Sequence, residues 1–217
     1  MSFLNRKTLI MGALCTAIPA AVVPSVIHAQ STKTSAQKLA EVSRHLKAVS
    51  TMRADFVQTN RLGQRVLGKM ILQRPGKVRF EYKNDASLLI VADGKALTMV
   101  DYEVNQVQRW PIKNSPLSAL LDSNRDVTRF GKIQPTNNEN IISVEVKDPK
   151  RPEYGVITML FERQRSAPAG LNLRGWVALD SKNNRTTVQL QNVKFNTGVN
   201  SSAFKWRDPR RKGGPRR

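Results

Sequence analysis

Apolar residues near the start of the chain recur with a helical period. Over residues 35–49 they lie three and four positions apart, at Leu39, Val42, Leu46 and Val49. This spacing predicts one amphipathic helix, and Thr34 or Ser35 has a side chain suited to cap its start. His45 lies in this segment beside basic neighbours, and we expect it to face solvent.

After this helix the period changes to two, which is typical of antiparallel strands with one apolar and one wet face. Val78, Phe80 and Tyr82 alternate most cleanly with charged residues, and Asp93-Gly94 is a strong hairpin signal. The pattern predicts about ten or eleven strands in one continuous meander. Their ranges are 52–56, 66–73, 78–82, 88–92, 95–100, 106–110, 127–133, 141–147, 156–161, 173–179 and 186–195.

A second, short helix is predicted between the strands. Ser115 can cap it, Pro116 suits its first position, and Leu117, Leu120 and Leu121 form its apolar side. Two helices against one large sheet give an α+β fold. A sheet of this length tends to curl, so the helices cover either a lidded hydrophobic cavity or a solidly packed core. The periodicity favours neither.

The first 29 residues resemble a cleavable secretory signal. Arg6 and Lys7 precede an apolar stretch over residues 9–23 and a small-residue site ending at Ala29. We therefore expect an exported protein with one domain over residues 30–209 and a basic, disordered tail over 210–217. The single cysteine, Cys15, leaves with the signal, so disulfides and thiolate metal sites are not expected.

The net charge and the motifs of the chain limit the classes of function that we expect. Cleavage removes two of the 36 basic residues and none of the 16 acidic ones, which leaves an excess of about 18 positive charges. That field would attract polyanions or anionic lipid, so a polyanion-binding exported module is one alternative. We find no nucleophile elbow, zinc motif or phosphate loop, and Asp93, Asp101 and Glu103 lie where turns need acidic residues. We therefore predict no enzymatic activity, catalytic residue, metal or cofactor.

A set of short motifs runs through the rest of the chain in a characteristic order. They are Phe56-Val57-Gln58, Gly68, Arg74-Pro75-Gly76-Lys77-Val78-Arg79-Phe80-Glu81-Tyr82, Asp93-Gly94-Lys95, Gln106-Val107, Ser115-Pro116-Leu117 and Phe204-Lys205-Trp206-Arg207-Asp208-Pro209. In this order and spacing the chain resembles the periplasmic outer-membrane lipoprotein carrier family, LolA. The resemblance covers nearly all of the chain from the first helix to Pro209.

The resemblance implies an incomplete antiparallel β-barrel with an α-helical lid over a hydrophobic cavity. It implies a monomeric periplasmic carrier that takes acylated lipoproteins from an inner-membrane ATP-driven transporter and delivers them to an outer-membrane acceptor, with no role for nucleic acid. Arg74 matches the family arginine that hydrogen-bonds the lid. The local pattern alone predicts that Arg74 is a surface residue beside a turn proline. The role of Arg74 in closing the lid is therefore predicted from the resemblance.

Candidate acyl-chain contacts are the large apolar residues of the lid helices and of the alternating strands. At Val78 and Phe80 the family usually has bulkier aromatic residues, so these two positions depart from its pattern. The candidates are Leu39, Val42, Leu46, Phe56, Met70, Leu72, Val78, Phe80, Leu89, Val91, Leu117, Leu120 and Leu121.

Overall fold

A computed structural model describes residues 33–83, 87–112, 117–121, 127–150 and 152–210. The expected signal segment, the capping residues Ser115 and Pro116, and the tail from residue 211 lie outside these ranges. The helices are α1 (Ser35–Ala48), α2 (Ser118–Leu121) and α3 (Val127–Phe130). The strands are β1 (Thr51–Thr59), β2 (Arg65–Gln73), β3 (Lys77–Tyr82), β4 (Leu88–Asp93), β5 (Ala96–Asp101), β6 (Gln106–Pro111), β7 (Gly131–Gln134), β8 (Ile141–Lys147), β9 (Val156–Arg163), β10 (Leu171–Leu179) and β11 (Arg185–Phe195).

All eleven strands form one antiparallel sheet in the order β6-β5-β4-β3-β2-β1-β11-β10-β9-β8-β7. Strand β1 lies near its centre, because it pairs with β2 on one side and with β11 on the other. Within the described residues β6 and β7 have no further strand on their outer sides, so the sheet is open. This confirms the predicted α+β fold with a large unclosed antiparallel sheet.

The sheet curls so strongly that strands on opposite sides of β1 come into contact. Phe80 of β3 and Trp176 of β10 are four strand spacings apart in the sheet, which is about 19 Å when flat. Their ring centroids nevertheless lie 6.1 Å apart in an edge-to-face contact. The inner, concave face is therefore folded over onto itself, and its side chains form one continuous apolar cluster.

The start of β7 differs from the prediction. Residues 127–133 were expected to form one strand, but the first four form α3 and only Gly131 onward is extended. A Cβ atom at Gly131 would lie 2.3 Å from the Val127 carbonyl oxygen and 3.0 Å from the Leu39 side chain. Packing against α1, with a tight turn that glycine allows, overrides the strand preference of the β-branched residues at the start of this segment.

Gly68 in β2 is required by a close aromatic contact. It pairs across the strands with Phe56, and a Cβ atom at Gly68 would lie 2.4 Å from both the Phe56 ring and the Glu81 carbonyl oxygen. The Phe56 ring thus occupies the space above the glycine, where a side chain would not fit.

We expect Gly68→Ala to lower the free energy of unfolding by about 1–3 kcal/mol, because the added methyl overpacks this contact. Chemical denaturation measures the change. Gly198→Ala is the matched control, since nothing lies within 4 Å of the added Cβ there. An equal loss in both variants would contradict the packing explanation.

Candidate functional site: a latched lid and an apolar cavity

The turn between β2 and β3 is the meeting point of the lid helices. Arg74 lies in this turn, and its guanidinium donates to the Leu120 carbonyl of α2 at 3.0 Å and to the Val49 carbonyl at the end of α1 at 3.4 Å. The backbone amide of Gly76 donates to the Leu121 carbonyl at 3.0 Å. One turn of three residues therefore binds the last carbonyls of α2 and the end of α1.

Gly76 can only be glycine in this arrangement. Its φ is +72°, and a Cβ atom would lie 2.8 Å from the Gly94 Cα of the neighbouring hairpin. The close approach of the two turns places the Gly76 amide in reach of α2. The motif Arg74-Pro75-Gly76 thus contacts α2 through a backbone amide as well as through a charged side chain.

The guanidinium of Arg74 is buried, and the partners it has among the described residues are backbone carbonyls. No carboxylate of the described residues forms an ion pair with it, and its Nε is buried without a hydrogen-bond partner. Burial lowers the pKa of Arg74 to about 10, which still leaves it charged at neutral pH. Among the described residues its hydrogen-bond partners are carbonyls, and the desolvation of the cation offsets part of what these bonds contribute.

The N-terminal half of α1 is held by a stronger interaction. Glu41 is only 6% exposed, and its carboxylate accepts hydrogen bonds from Arg163 of β9 at 2.6 Å and from Lys33. Burial alone would raise the pKa of Glu41, but the two cationic donors outweigh it and lower the pKa. A nearly buried ion pair of this kind fixes α1 to the β9 side of the sheet.

His45 forms the second anchor of α1, and the expectation that it faces solvent was wrong. It is 2% exposed, with its ring edge-on to Phe161 and Phe195. Its Nδ1 lies 2.8 Å from the Pro168 carbonyl oxygen, which can only accept, so Nδ1 carries the proton. Burial lowers the pKa of His45, the Pro168 hydrogen bond opposes this, and the charge of Arg74 lowers it further.

Most of the candidate residues are buried in the apolar cluster of the concave face. Nine of the candidate residues are buried in its central cluster, while Leu39 and Leu117 pack against that cluster from its edge. The nine are Val42, Leu46, Phe56, Met70, Leu72, Val78, Phe80, Leu120 and Leu121. These nine residues therefore belong to the buried core, which is one of the two outcomes that the sequence left open.

A cavity of about 250 Å³ lies between the two flanks of the curl, and its wall includes Leu117, the residue that precedes α2. Its walls come from strands on both sides of the curl, and its polar rim lies at the ends of β1 and β10. The apolar walls are Phe80, Tyr82, Ile90, Leu97, Trp110, Leu117, Trp176, Ala178 and Val188, and the polar residues are Gln58, Asp180, Asn184 and Thr186. The concave face thus combines a buried apolar core with an apolar cavity that shares Phe80 and Leu117 with it.

Tyr82 keeps its wall of the cavity neutral. Its hydroxyl donates to the Gln58 Oε1 at 2.8 Å, and its ring meets Phe56 edge-on at 5.2 Å. Burial raises the pKa of Tyr82 to about 12, against the opposing effect of the Gln58 hydrogen bond. The cavity therefore presents aromatic and aliphatic surface, which suits a hydrocarbon ligand.

Comparison with known proteins identifies the family. The family model for the outer membrane lipoprotein carrier protein LolA matches residues 47–207. The chain belongs to the LolA family. Two proteins named outer-membrane lipoprotein carrier protein are similar over most of their length. The one from Chromobacterium violaceum is 27% identical over 81% of this chain and 85% of its own, and the one from Legionella pneumophila is 29% identical over 84% and 90%.

A solved structure supports the fold alone. A DUF1329 family protein from Desulfovibrio piger superposes with a TM-score of 0.51 at 10% sequence identity, covering 78% of this chain and 95% of that one. In the described part of this LolA-family chain, no helix is long and apolar enough to cross a membrane. The described residues also contain no cluster of three or more metal-ligating side chains, and Asp93 and Asp101 accept hydrogen bonds from amides of their own turns.

Two candidate residues lie on the wrong face for this cavity. Leu89 and Val91 belong to a separate cluster on the outer, convex face of the sheet, where they pack with Val100 and Phe204. The segment Val199–Trp206, which we call the C-terminal strap, covers them. Arg79 fastens the strap by donating to the Ala203 and Lys205 carbonyls at 3.4 and 3.2 Å.

Most of the cavity wall in this LolA-family protein was missed by sequence reasoning. Of the candidates, only Phe80 and Leu117 line the cavity. Tyr82 shares the alternation phase of Phe80, and Ile90 pairs directly with Phe80, so this phase was a usable signal for both. Trp176 and Ala178 come from the far side of the curl, which no local pattern brings next to β3.

We expect the stability of the protein to fall as the pH drops below the unfolded His45 pKa of about 6.5. The lowered pKa means that the unfolded chain binds this proton more readily, so the stabilisation is present above that pH and is lost on acidification. Denaturation at about pH 7.5 and about pH 5 measures it. His45→Asn keeps an amide donor for Pro168 and should show a shallower pH dependence. An unchanged pH dependence in this variant would contradict the assignment.

Proposed function

We propose that this protein is a periplasmic, non-enzymatic carrier that binds the acyl chains of lipoproteins in the concave cavity. It receives them from an inner-membrane ATP-driven transporter and delivers them, as a monomer, to an acceptor at the outer membrane. The observation that carries the proposal is the apolar cavity beside a latched lid in a chain of the LolA family. Both relatives described above are named outer-membrane lipoprotein carrier protein, which supports the proposal.

The cavity offers a hydrocarbon chain a measurable gain. One water occupies about 30 Å³ of liquid and a methylene is of similar size, so a cavity of about 250 Å³ holds roughly eight methylenes. At about 0.8 kcal/mol for each buried methylene, this stabilises a bound chain segment by about 6 kcal/mol. Such a gain keeps an acyl chain out of water without making its release impossibly slow.

The closed cavity is too small for the whole cargo. A lipoprotein with three long acyl chains needs several times this volume, so loading requires the curl or the lid to open. The ligand favours the open form only through its greater affinity for it. The Arg74 guanidinium fits this requirement, because its Nε has no hydrogen-bond partner and breaking its two carbonyl contacts costs only about 1.5 kcal/mol.

The two lid helices have different roles in this mechanism. Helix α1 keeps its Glu41–Arg163 ion pair and its His45–Pro168 hydrogen bond when the Arg74 contacts break. Helix α2 has four residues and depends on Leu120, Leu121 and the turn at Arg74. We therefore assign α2 as the moving part of the lid and α1 as the fixed part. Phe80 is an acyl-chain contact, and Val78 supports it from the core.

We expect Arg74→Leu to slow the release of bound lipoprotein to its acceptor by about tenfold. The reason is that losing hydrogen bonds from a charged donor destabilises the closed empty state by about 1.5 kcal/mol and leaves the loaded state comparatively favoured. Transfer of a triacylated lipoprotein from the purified carrier to outer-membrane acceptor measures the rate.

Arg79→Leu is the matched control, because Arg79 also donates to two carbonyls but does so on the convex face. It should release cargo at the wild-type rate. Equal rates for wild type and Arg74→Leu would disprove the latch. A wild-type protein that forms no complex with lipoprotein would disprove the carrier function itself.

A further inference from the structure

One end of the sheet combines the cavity mouth with exposed turns. Because the strands alternate in direction, the turns after β1, β5 and β10 all lie at this end. The polar cavity residues Gln58, Asp180 and Asn184 lie there as well. The lid latch at Arg74 lies at the opposite end, since it follows β2.

The turn after β1 presents exposed apolar side chains on a rigid support. Leu62 at its tip is 68% exposed, and Leu67 on the adjoining convex surface of β2 is 50% exposed. The Asn60 carboxamide oxygen accepts hydrogen bonds from the amides of Leu62 and Gln64, and its Nδ2 donates to the Gln64 side chain at 2.7 Å. Exposed Leu62 is thus carried by a turn that several hydrogen bonds hold in place.

Basic side chains surround these two leucines. Arg61 and Arg65 are exposed on the same hairpin, and exposed Lys83 lies next to Leu67, because its amide donates to the Leu67 carbonyl at 2.7 Å. The sequence from residue 56 to residue 80 contains no aspartate or glutamate. The carboxylate of Glu81 on the neighbouring strand is paired with Arg79, so Arg61, Arg65 and Lys83 make the surface around the projecting apolar tip cationic.

We propose that this surface, formed by Arg61, Leu62, Arg65, Leu67 and Lys83, docks the protein onto anionic phospholipid membranes. Leucine on a narrow turn suits insertion among lipid head groups, while the arginines and lysine contact their phosphates. A stable protein interface instead needs about 800 Å² on each partner, with a centre depleted of charge. Docking in this way faces the cavity mouth toward the lipid.

Flotation of the full chain with vesicles tests this without any lipoprotein. We expect partitioning onto phosphatidylglycerol–phosphatidylcholine vesicles to exceed that onto pure phosphatidylcholine by at least about tenfold, and to fall with salt. Leu62→Asn should lower it by about threefold or more, because the inserted apolar tip is lost. Arg61→Gln with Arg65→Gln should lower it by about twentyfold, since each basic residue near such a surface contributes about fivefold.

Val104→Asn is the matched control. Val104 is 62% exposed on the turn after β5 at the same end of the sheet, but it follows Glu103 and lies outside the proposed surface. It should partition like wild type, and the basic tail contributes equally to every variant. Equal binding to both vesicle types, or equal losses in Val104→Asn and Leu62→Asn, would overturn the proposal.

An acidic protein partner is the competing occupant of this surface. If the Leu62 and arginine variants keep wild-type vesicle binding but lose binding to the outer-membrane acceptor, the surface is a protein site and the membrane proposal is wrong. Neither result changes the uptake of lipoprotein, which is measured separately, so failure here leaves the carrier function standing.

Discussion

An apolar concave face on a curled sheet has to be shielded from water along its whole length, and most of this structure follows from that constraint. Under the lid helices Val42, Leu46, Leu120 and Leu121 shield it, and all four are buried in the apolar cluster. Elsewhere the two flanks of the curl come together until Phe80 meets Trp176. The walls there close over a cavity that a hydrocarbon chain can occupy in place of packed side chains.

The contacts that hold the lid differ in strength in a way that suits reversible opening. Glu41 joins α1 to β9 through opposite charges, whereas the contact that the structure describes between Arg74 and α2 is to a carbonyl group. Removing water from the guanidinium offsets part of what its two carbonyl contacts contribute, so these contacts stabilise the closed lid only modestly. A lid built in this way stays closed when the protein is empty and yields to a ligand that buries enough hydrocarbon.

The sequence predicted the architecture better than the cavity, for physical reasons. Period-two alternation survives wherever one strand face is wet, so Val78, Phe80 and Tyr82 identified their own inward face. In β4 every residue from Leu88 to Ala92 is apolar, because the strap covers its outer face, and Leu89 was assigned inward when it faces outward. His45 likewise gave no local sign of burial, since Pro168 and Phe195 are distant in sequence.

Binding of a long-chain fluorescent fatty acid to two neighbouring variants tests the central claim most directly. Ala178 lines the cavity, whereas Val177 faces the convex side of the same strand. Ala178→Phe should weaken binding by about tenfold or more, because the new ring replaces hydrocarbon that the ligand would bury. Val177→Phe should leave it within about twofold of wild type. Equal affinity in all three proteins would show that acyl chains do not bind in this cavity.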